Sequence, residues 1–520
     1  MQSHARRTSD YLRDRLGPDL AELGAELGAR VGDSAARLGR LLGQLGNLVD
    51  DLAADSAAVV READRLRAAA IERSASVRDA VRVAPRFGRI VRDALLLIAA
   101  YRLHDAARGP GAELLGDRAV DTARERLHRE GARRVYRLCV DLRGGVLKIG
   151  QFASARVDLL PPAYARELGR LQDRVPPVAT SAIQGSIEEA LGASLEERFA
   201  EFSAEPLAAA SLAQVHAARL LDGTPVAVKT LVPGIEDVIE TDLAALRVVG
   251  PALREVWPRV DVETVARELG RSLRTELDLE REASSAERFA AESVDDPGVI
   301  VPRVYRECSA RRVLTLELIE GARLPDWLAA CEERGESGHA ERDRLLEILV
   351  RSTCAQILAR GFFHADPHPG NFLVVEDAGG PRLAVLDFGC VQELAAERRR
   401  AWAQVVLAGV SRDVPKVIAL LGELGFQARG ESDALAHFAT RLVEAVGPGG
   451  ALAPGSTDAD ARLRTLLALL HESPIVEIPP DAVLLGRVMA SLGGILVTYR
   501  PRFDLLRLVV PDLLRAAGGV

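Results

Sequence analysis

The chain has 520 residues, with 67 basic and 75 acidic side chains, a net charge of −8, 48% hydrophobic and 27% charged residues. This is a core-forming composition long enough for roughly two to four domains, and its mildly acidic balance excludes non-specific nucleic-acid binding as the main task. Five cysteines without a CxxC pair fit buried thiols in a reducing compartment, not a disulfide framework or a structural zinc site.

Residues 1–80 are helix-compatible. Leu16, Leu20, Leu23, Leu27 and Val31, then Leu38, Leu41, Leu45, Leu48 and Leu52, recur at threes and fours and mark one apolar stripe. Gly24, Gly28 and Gly32, and Gly39 and Gly43, would let a second helix approach closely. Arg78, Arg82, Arg86, Arg89 and Arg92 follow at helical spacing, with Pro85 expected to interrupt the helix. They suit either an interfacial helix near anionic lipid or a solvated arginine face on a packed helix. The apolar runs Ala94–Tyr101 and Val488–Tyr499 fall short of the roughly 20 residues of a membrane span and read as buried helices.

From Asp117 to Arg174 the pattern is helical, closing on the turn-rich Val175-Pro-Pro-Val, and 183–202 reads as helix again. Strand signals begin at Leu212. Val215–Leu221 and Thr224–Thr230 form a hairpin around Asp222-Gly223. Helices are expected over 236–292, then a β pair at Val299–Arg306 and Arg312–Leu318, then a long helical region. A third hairpin joins Asn371–Glu376 to Arg382–Asp387 through a Gly-Gly turn, and everything after Leu394 looks helical. A small β-rich lobe followed by a large helical lobe is an α+β arrangement.

Four features fall in an order that suggests phosphoryl transfer. Val226-Ala-Val-Lys229 ends an apolar strand in a lysine, where an ammonium can grip nucleotide phosphates. Glu282, on a helical run, is a candidate ion-pair partner for Lys229. In His364-Ala-Asp-Pro-His-Pro-Gly-Asn371, Asp366 precedes Asn371 by five residues, the spacing of a catalytic loop with a base and a magnesium ligand. Asp387-Phe-Gly then supplies a second carboxylate as a metal ligand. The competing reading makes His364, Asp366 and His368 a metal cluster. Each feature alone is weak, but the order and spacing of all four are hard to obtain by accident.

Over roughly residues 118–500 the chain resembles the UbiB/AarF family of atypical protein-kinase-like proteins. The motifs that carry the resemblance are Lys148-Ile-Gly150-Gln151 (KxGQ), Leu171–Pro177, the alanine-rich Ala208-Ala209-Ala210-Ser211-Leu-Ala213-Gln214, Glu276-Leu-Asp278 (ExD), and Gly361–Asn371. The resemblance implies a bilobal kinase-like fold with family-specific helical insertions. Its parts are a KxGQ-type segment at 117–205, an N-lobe at 206–320 and a C-lobe at 321–520, while the helical extension at 1–116, a candidate for membrane-surface or partner contact, lies outside the shared core. It implies ATP or ADP and Mg2+ as cofactors. Lys229 would bind phosphates and Glu282 position it, with Asp366 as the base and Asn371 and Asp387 on the metal. Ala208, Ala209, Ala210, Ser211, Ala213 and Gln214 would form the nucleotide loop, and the main chain around Glu317 and Ile319 the adenine hinge.

Alanines in that loop restrict positive φ, which glycines would allow. Lys148, Gly150 and Gln151 would fold over the site mouth against Glu276 and Asp278. That plug disfavours phosphorylation of polypeptides and favours ATP hydrolysis or a small, lipid-like acceptor. The implied physiology is isoprenoid-quinone or related lipid metabolism, with a lipid or quinone intermediate or an anionic membrane surface as partner and no nucleic acid. With neither a signal-type apolar segment nor a membrane-length apolar run in the sequence, the expected location is cytoplasmic, extending to a peripheral position on the inner face of the cell membrane. A nucleotide-sensing scaffold with little turnover is the alternative. A small-molecule kinase of the aminoglycoside type shares the HxDxxxxN loop, and the KxGQ motif counts against it. Ser285 departs from the family, which usually has Asn there.

Overall fold

The computed structural model describes residues 77–115, 117–155, 160–171, 176–257, 262–428, 433–446, 475–477 and 479–518. The leucine and glycine repeats before residue 53 lie outside the described residues, as do 172–175. In chain order the helices are α1 (Val77–Leu115), α2 (Asp117–Leu142), α3 (Gly144–Ala155), α4 (Pro162–Leu168), α5 (Thr180–Leu191), α6 (Ile235–Val256), α7 (Val262–Glu276), α8 (Leu279–Glu292), α9 (Leu324–Glu333), α10 (Glu336–Cys354), α11 (Ala396–Val410), α12 (Val414–Glu423), α13 (Asp433–Val446), α14 (Pro480–Tyr499) and α15 (Leu505–Gly518). The strands are β1 (Phe199–Ala209), β2 (Ala213–Leu220), β3 (Pro225–Leu231), β4 (Val299–Ile300), β5 (Val313–Glu317), β6 (Ala322–Arg323), β7 (Phe362–His364), β8 (Phe372–Asp377), β9 (Gly380–Val385), β10 (Val391–Glu393), β11 (Gln427–Ala428) and β12 (Ile475–Glu477).

Two compact units divide the chain. The first takes residues up to Ser186 together with Glu205–Val215 and Leu231–Leu277. Its core gathers Ile90 and Val91 of α1, Leu138 of α2, Leu147 of α3, Tyr164 of α4 and Val249 of α6. Contrary to the sequence expectation, α1 runs through Pro85. A proline in a helix interior costs about 3 kcal/mol. Pro85 is exposed, and the turns beyond it bury Ile90, Leu97, Ile98 and Tyr101, which offsets that cost. The Ala94–Tyr101 run is therefore core through Leu97, Ile98 and Tyr101, while Leu96 is exposed. The arginine face is partly internal: Arg86 is bound to Asp242, Arg89 pairs with Asp141, and Arg92 with Asp93.

The second unit comprises Ile187–Ala204, His216–Thr230 and Asp278 onward. The first hairpin forms as expected. Gly223 takes φ +87°, and the Asp222 carboxylate accepts the Thr224 N–H at 2.9 Å. The sheet order is β1-β2-β3-β5. Helix α5 bears out the reading of 183–202 as helix up to Leu191, and strand β1 corrects its end from Phe199. Phe199 is buried, Phe202 stacks on the His216 ring at 5.0 Å, and His216 Nδ1 bonds the Ser203 carbonyl at 2.8 Å. These contacts reward an extended backbone, and as an edge strand β1 tolerates Pro206.

The second expected β pair does not form a hairpin. Residues 299–300 pair in parallel with β9 and 313–317 pair with β3, leaving only the bridge Val304–Leu316 between the two segments. The β8–β9 hairpin stands as read, in register from Phe372–Val385 to Asp377–Gly380. The short pair β11–β12 interrupts the expected all-helical C-terminus. Among the described residues, α14 is long and apolar enough to cross a membrane, because the helix extends back from Val488 to Pro480. Its Leu485, Val488, Leu492 and Ile495 nevertheless lie in the core with Phe289, Leu345, Phe363 and Phe388.

Gly150 shows how tightly α3 sits. A Cβ there would lie 2.7 Å from Cys139 Sγ and 2.7 Å from Leu171 Cδ1. Gly150→Ala is expected to destabilise the protein by about 1–3 kcal/mol through overpacking. A melting temperature equal to wild type would show that α3 does not pack on those side chains.

Candidate active site

Strand β3 carries Lys229 within an apolar ladder, with Val226 and Val228 buried on one face and Lys229 opposite Leu314 of β5. Its ammonium donates to Glu282 Oε1 at 2.6 Å and lies 4.0 Å from Asp387 Oδ1. Glu282 sits on α8, whose start is capped by the Asp278 carboxylate accepting the Arg281 N–H at 3.1 Å. Only 4% of the Glu282 side chain is exposed, against 41% for Asp387. Burial pushes the Glu282 carboxyl above the usual carboxylate range, and the Lys229 ammonium opposes that push. The Phe388 N–H approaches the same oxygen at 3.5 Å. Lys229 and its expected partner Glu282 therefore meet, and Asp387 joins them. Ser285 spends its hydroxyl on the Arg281 carbonyl of its own helix.

The catalytic-loop motif folds on itself. Asn371 Nδ2 donates to the Asp366 carbonyl at 3.0 Å, the Asn371 N–H donates to the His368 carbonyl, and the Leu386 N–H donates to the Asn371 carbonyl. This sets Asn371 beside the strand end that delivers Asp387. The Gly389 N–H donates to Asp387 Oδ1 at 2.8 Å. His364 is buried, its Nδ1 accepts the Asp366 N–H at 3.1 Å, and its own N–H donates to Gln356 Oε1. His368 Nδ1 accepts the Gly370 N–H at 3.1 Å. Both histidines spend a nitrogen on their own loop, and among the described residues no three His, Cys, Asp or Glu side chains gather as a metal site. A hard cation is better matched by the Asp387 carboxylate and the Asn371 amide oxygen, since the Asn371 nitrogen is turned to Asp366. Magnesium commonly takes one or two protein oxygens and completes its shell with phosphate and water.

Two residues at this site escaped the sequence reading. Arg487 of α14 donates to Asp366 Oδ2 at 2.7 Å. Between Asp481 and Arg500 it is the single charged residue of that helix, which was the only signal available. Gln356 lies in a π-helical turn, Ala355–Arg360, that swings its amide onto His364.

The expected hinge has its own geometry. The Glu317 N–H donates to the Arg303 carbonyl and the Leu318 N–H to the Pro225 carbonyl. The alternation turns the Glu317 carbonyl to the β5 edge that faces away from β3, and Ile319 follows two residues beyond the end of that strand.

The remaining motif residues belong to the first unit. Lys148 Nζ lies 3.2 Å from Glu276 Oε2, so these two are brought together. Gln151 lies three residues further along α3. The alanine loop closes by the Ala210 N–H donating to the Ala213 carbonyl at 2.8 Å, and none of Ala208, Ala209, Ala210 or Ala213 takes positive φ. The Ser211 hydroxyl is buried and finds no hydrogen-bond partner among the described residues. Gln214, expected in the nucleotide loop, meets the main chain of Val178. Its side chain is buried, Oε1 accepts the Val178 N–H at 2.9 Å, and Nε2 faces the Val178 carbonyl, so both ends of the amide serve the main chain.

Burial holds the His364 imidazole below its ordinary value, so the folded state keeps it neutral while the unfolded chain protonates near pH 6.5. Its contribution to stability is complete above about pH 6.5 and is lost as the pH falls below that value. Urea unfolding at pH 7 and pH 5 should therefore show a smaller acid loss in His364→Asn than in wild type. Equal losses would contradict a neutral His364.

A profile of the ABC1 atypical kinase-like domain matches residues 170–421. The chain is 38% identical over 284 residues to the Arabidopsis thaliana protein named Activity of bc1 complex kinase 8, chloroplastic, covering 54% of this chain and 36% of that protein. It is 32% identical over 396 residues to a probable protein kinase UbiB of Pseudomonas paraeruginosa, covering 71% of this chain and 68% of that protein. Against several other curated relatives it spans about half their length, 53% for an uncharacterized Synechocystis protein and 52% for a Marinobacter nauticus probable kinase UbiB. The solved structure of Rv3197 from Mycobacterium tuberculosis, a complex with erythromycin, matches with TM-score 0.51 and 25% identity over 76% of this chain and 99% of that one. With its kinase-like α+β fold, the chain belongs to the UbiB/ABC1 family of atypical kinase-like proteins.

Proposed function

We propose that the protein is a magnesium- and ATP-dependent atypical kinase or ATPase, and the observation that carries this is the meeting of Lys229, Glu282 and Asp387. Lys229 would hold the α- and β-phosphates, with Glu282 fixing its position. Asp366 would take the proton of the attacking hydroxyl or water, oriented through its carbonyl by Asn371. A magnesium ion on Asp387 and Asn371 would neutralise the phosphate charge. The Glu317 carbonyl and Ile319 N–H suit the donor and acceptor edge of an adenine ring.

The lipid or quinone role comes from family kinship. Val483, 39% exposed and one turn before Arg487 on the helix that meets Asp366, supports it by offering a lipid-like acceptor an apolar contact near the base.

One observation favours the second reading, a nucleotide-sensing scaffold. Asp366 is already engaged by Arg487, an ion pair that would compete with an acceptor for the carboxylate.

Mg-ATP hydrolysis, measured with and without anionic vesicles, separates the two readings. For an enzyme, Asp366→Asn lowers kcat by about 100-fold or more, and Asp387→Asn abolishes magnesium-dependent turnover. Turnover indifferent to Asp387→Asn would overturn the mechanism. A scaffold releases ATP unhydrolysed until Arg487→Met frees Asp366, after which turnover rises.

A further inference from the structure

The loop from α2 to α3 is a single residue, Arg143, and both Arg143 and Gly144 take positive φ, +57° and +56°. A left-handed arginine is unfavourable and persists only where its surroundings hold it. The Arg86 guanidinium does the holding. It donates to the Leu142 carbonyl at 2.5 Å and to the Arg143 carbonyl at 2.7 Å, satisfying the carbonyl end of α2. The same group grips Asp242 of α6 through Nε at 2.6 Å and an NH2 bond at 2.7 Å. Asp242, whose side chain has no exposed surface, turns its Oδ2 to accept the Val146 N–H at 2.9 Å in the first turn of α3. One buried ion pair thus places a cation on the carbonyl end of one helix and an anion on the amide end of the next, each matched to the helix dipole. Gly145 makes the fit close, since a Cβ there would stand 2.7 Å from Asp242 Oδ2.

We infer that Arg86 and Asp242 are positioning residues for the KxGQ motif, seating α3 so that Lys148, one turn on, meets Glu276. Glu276 ends α7 and is 31% exposed, and Lys148 is 25% exposed, so their contact is too solvated to fix the helix alone. The anchor is the dry pair behind it. This deepens the proposed function through Lys148 and Gln151, yet it concerns where a lysine sits rather than whether ATP turns over.

The composition provides the readout. The chain has only three lysines, Lys148, Lys229 and Lys416, and Lys416 is exposed on α12. Acylation of the full-length protein with an amine-reactive ester, followed by mass spectrometry, therefore reports each lysine separately. Asp242→Asn keeps the shape and removes the charge. It should speed Lys148 acylation by roughly fivefold or more while Lys229 and Lys416 react as in wild type. Removing only one charge can unfold a protein, so Arg86→Met combined with Asp242→Leu, which replaces the pair with apolar groups, is the second variant. The same selective rise at Lys148 is expected. An unchanged Lys148 rate in either folded variant overturns the inference, and so does an equal rise at Lys148 and Lys229, which would mean general loosening. Neither result depends on hydrolysis, so failure here leaves the catalytic reading to its own test.

Discussion

A carboxylate with 4% of its surface exposed has to be partnered, and at Glu282 the partner is the Lys229 ammonium at 2.6 Å. Much of the second unit is arranged to make that contact. An apolar strand brings the lysine, a capped helix brings the glutamate, and Phe289, one turn beyond Ser285, packs edge-on against Phe388 at 5.4 Å. That aromatic contact holds the Asp387-Phe-Gly segment, so the carboxylate next to Phe388 comes within 4.0 Å of the same ammonium. The charge pair and the core behind it specify each other. The core fixes the distance, and the charges reward only that distance.

The parts of this arrangement that were legible in sequence share one property. Their residues are close in the chain or stand on regular elements. Asp366 and Asn371 are five residues apart, so the loop that joins them by hydrogen bond is local information. Lys229 follows a strand pattern, and Asp222-Gly223 signals its hairpin through a turn that needs positive φ. Arg487 was illegible for the opposite reason. It reaches Asp366 across 121 residues, and nothing near it in sequence names its partner. Arg86 and Asp242, 156 residues apart, are the same case. Strand β1 was misread because its burial pattern is weak and its rewards, Phe202 on His216 and the Ser203 carbonyl on that ring, come from another strand. The continuous α1 was misread because a local cost at Pro85 was set against a tertiary gain that the segment alone does not display.

The family motifs take on distinct physical meanings in the structure. Gly150 of KxGQ is a packing residue, excluded from any larger side chain by Cys139 and Leu171. Lys148 is an ion-pair residue on Glu276. Asp278 of ExD is a helix cap, and Gln214 at the end of the alanine loop is a main-chain clamp. A motif that looks like a uniform functional signature therefore mixes contacts that hold helices in place with groups free to meet a ligand. The same distinction applies to charge. In a chain with 67 basic residues and only three lysines, two lysines have carboxylate partners in the motifs, where a compact ammonium and a planar guanidinium are not equivalent.

The most direct measurement is the affinity for Mg-ATP, by titration calorimetry, of wild type, Lys229→Arg and Glu282→Gln. If Lys229 is the phosphate grip and Glu282 its support, both substitutions weaken binding, Lys229→Arg by roughly tenfold or more. Wild-type affinity in Lys229→Arg would contradict the assignment of this ion pair as the nucleotide anchor.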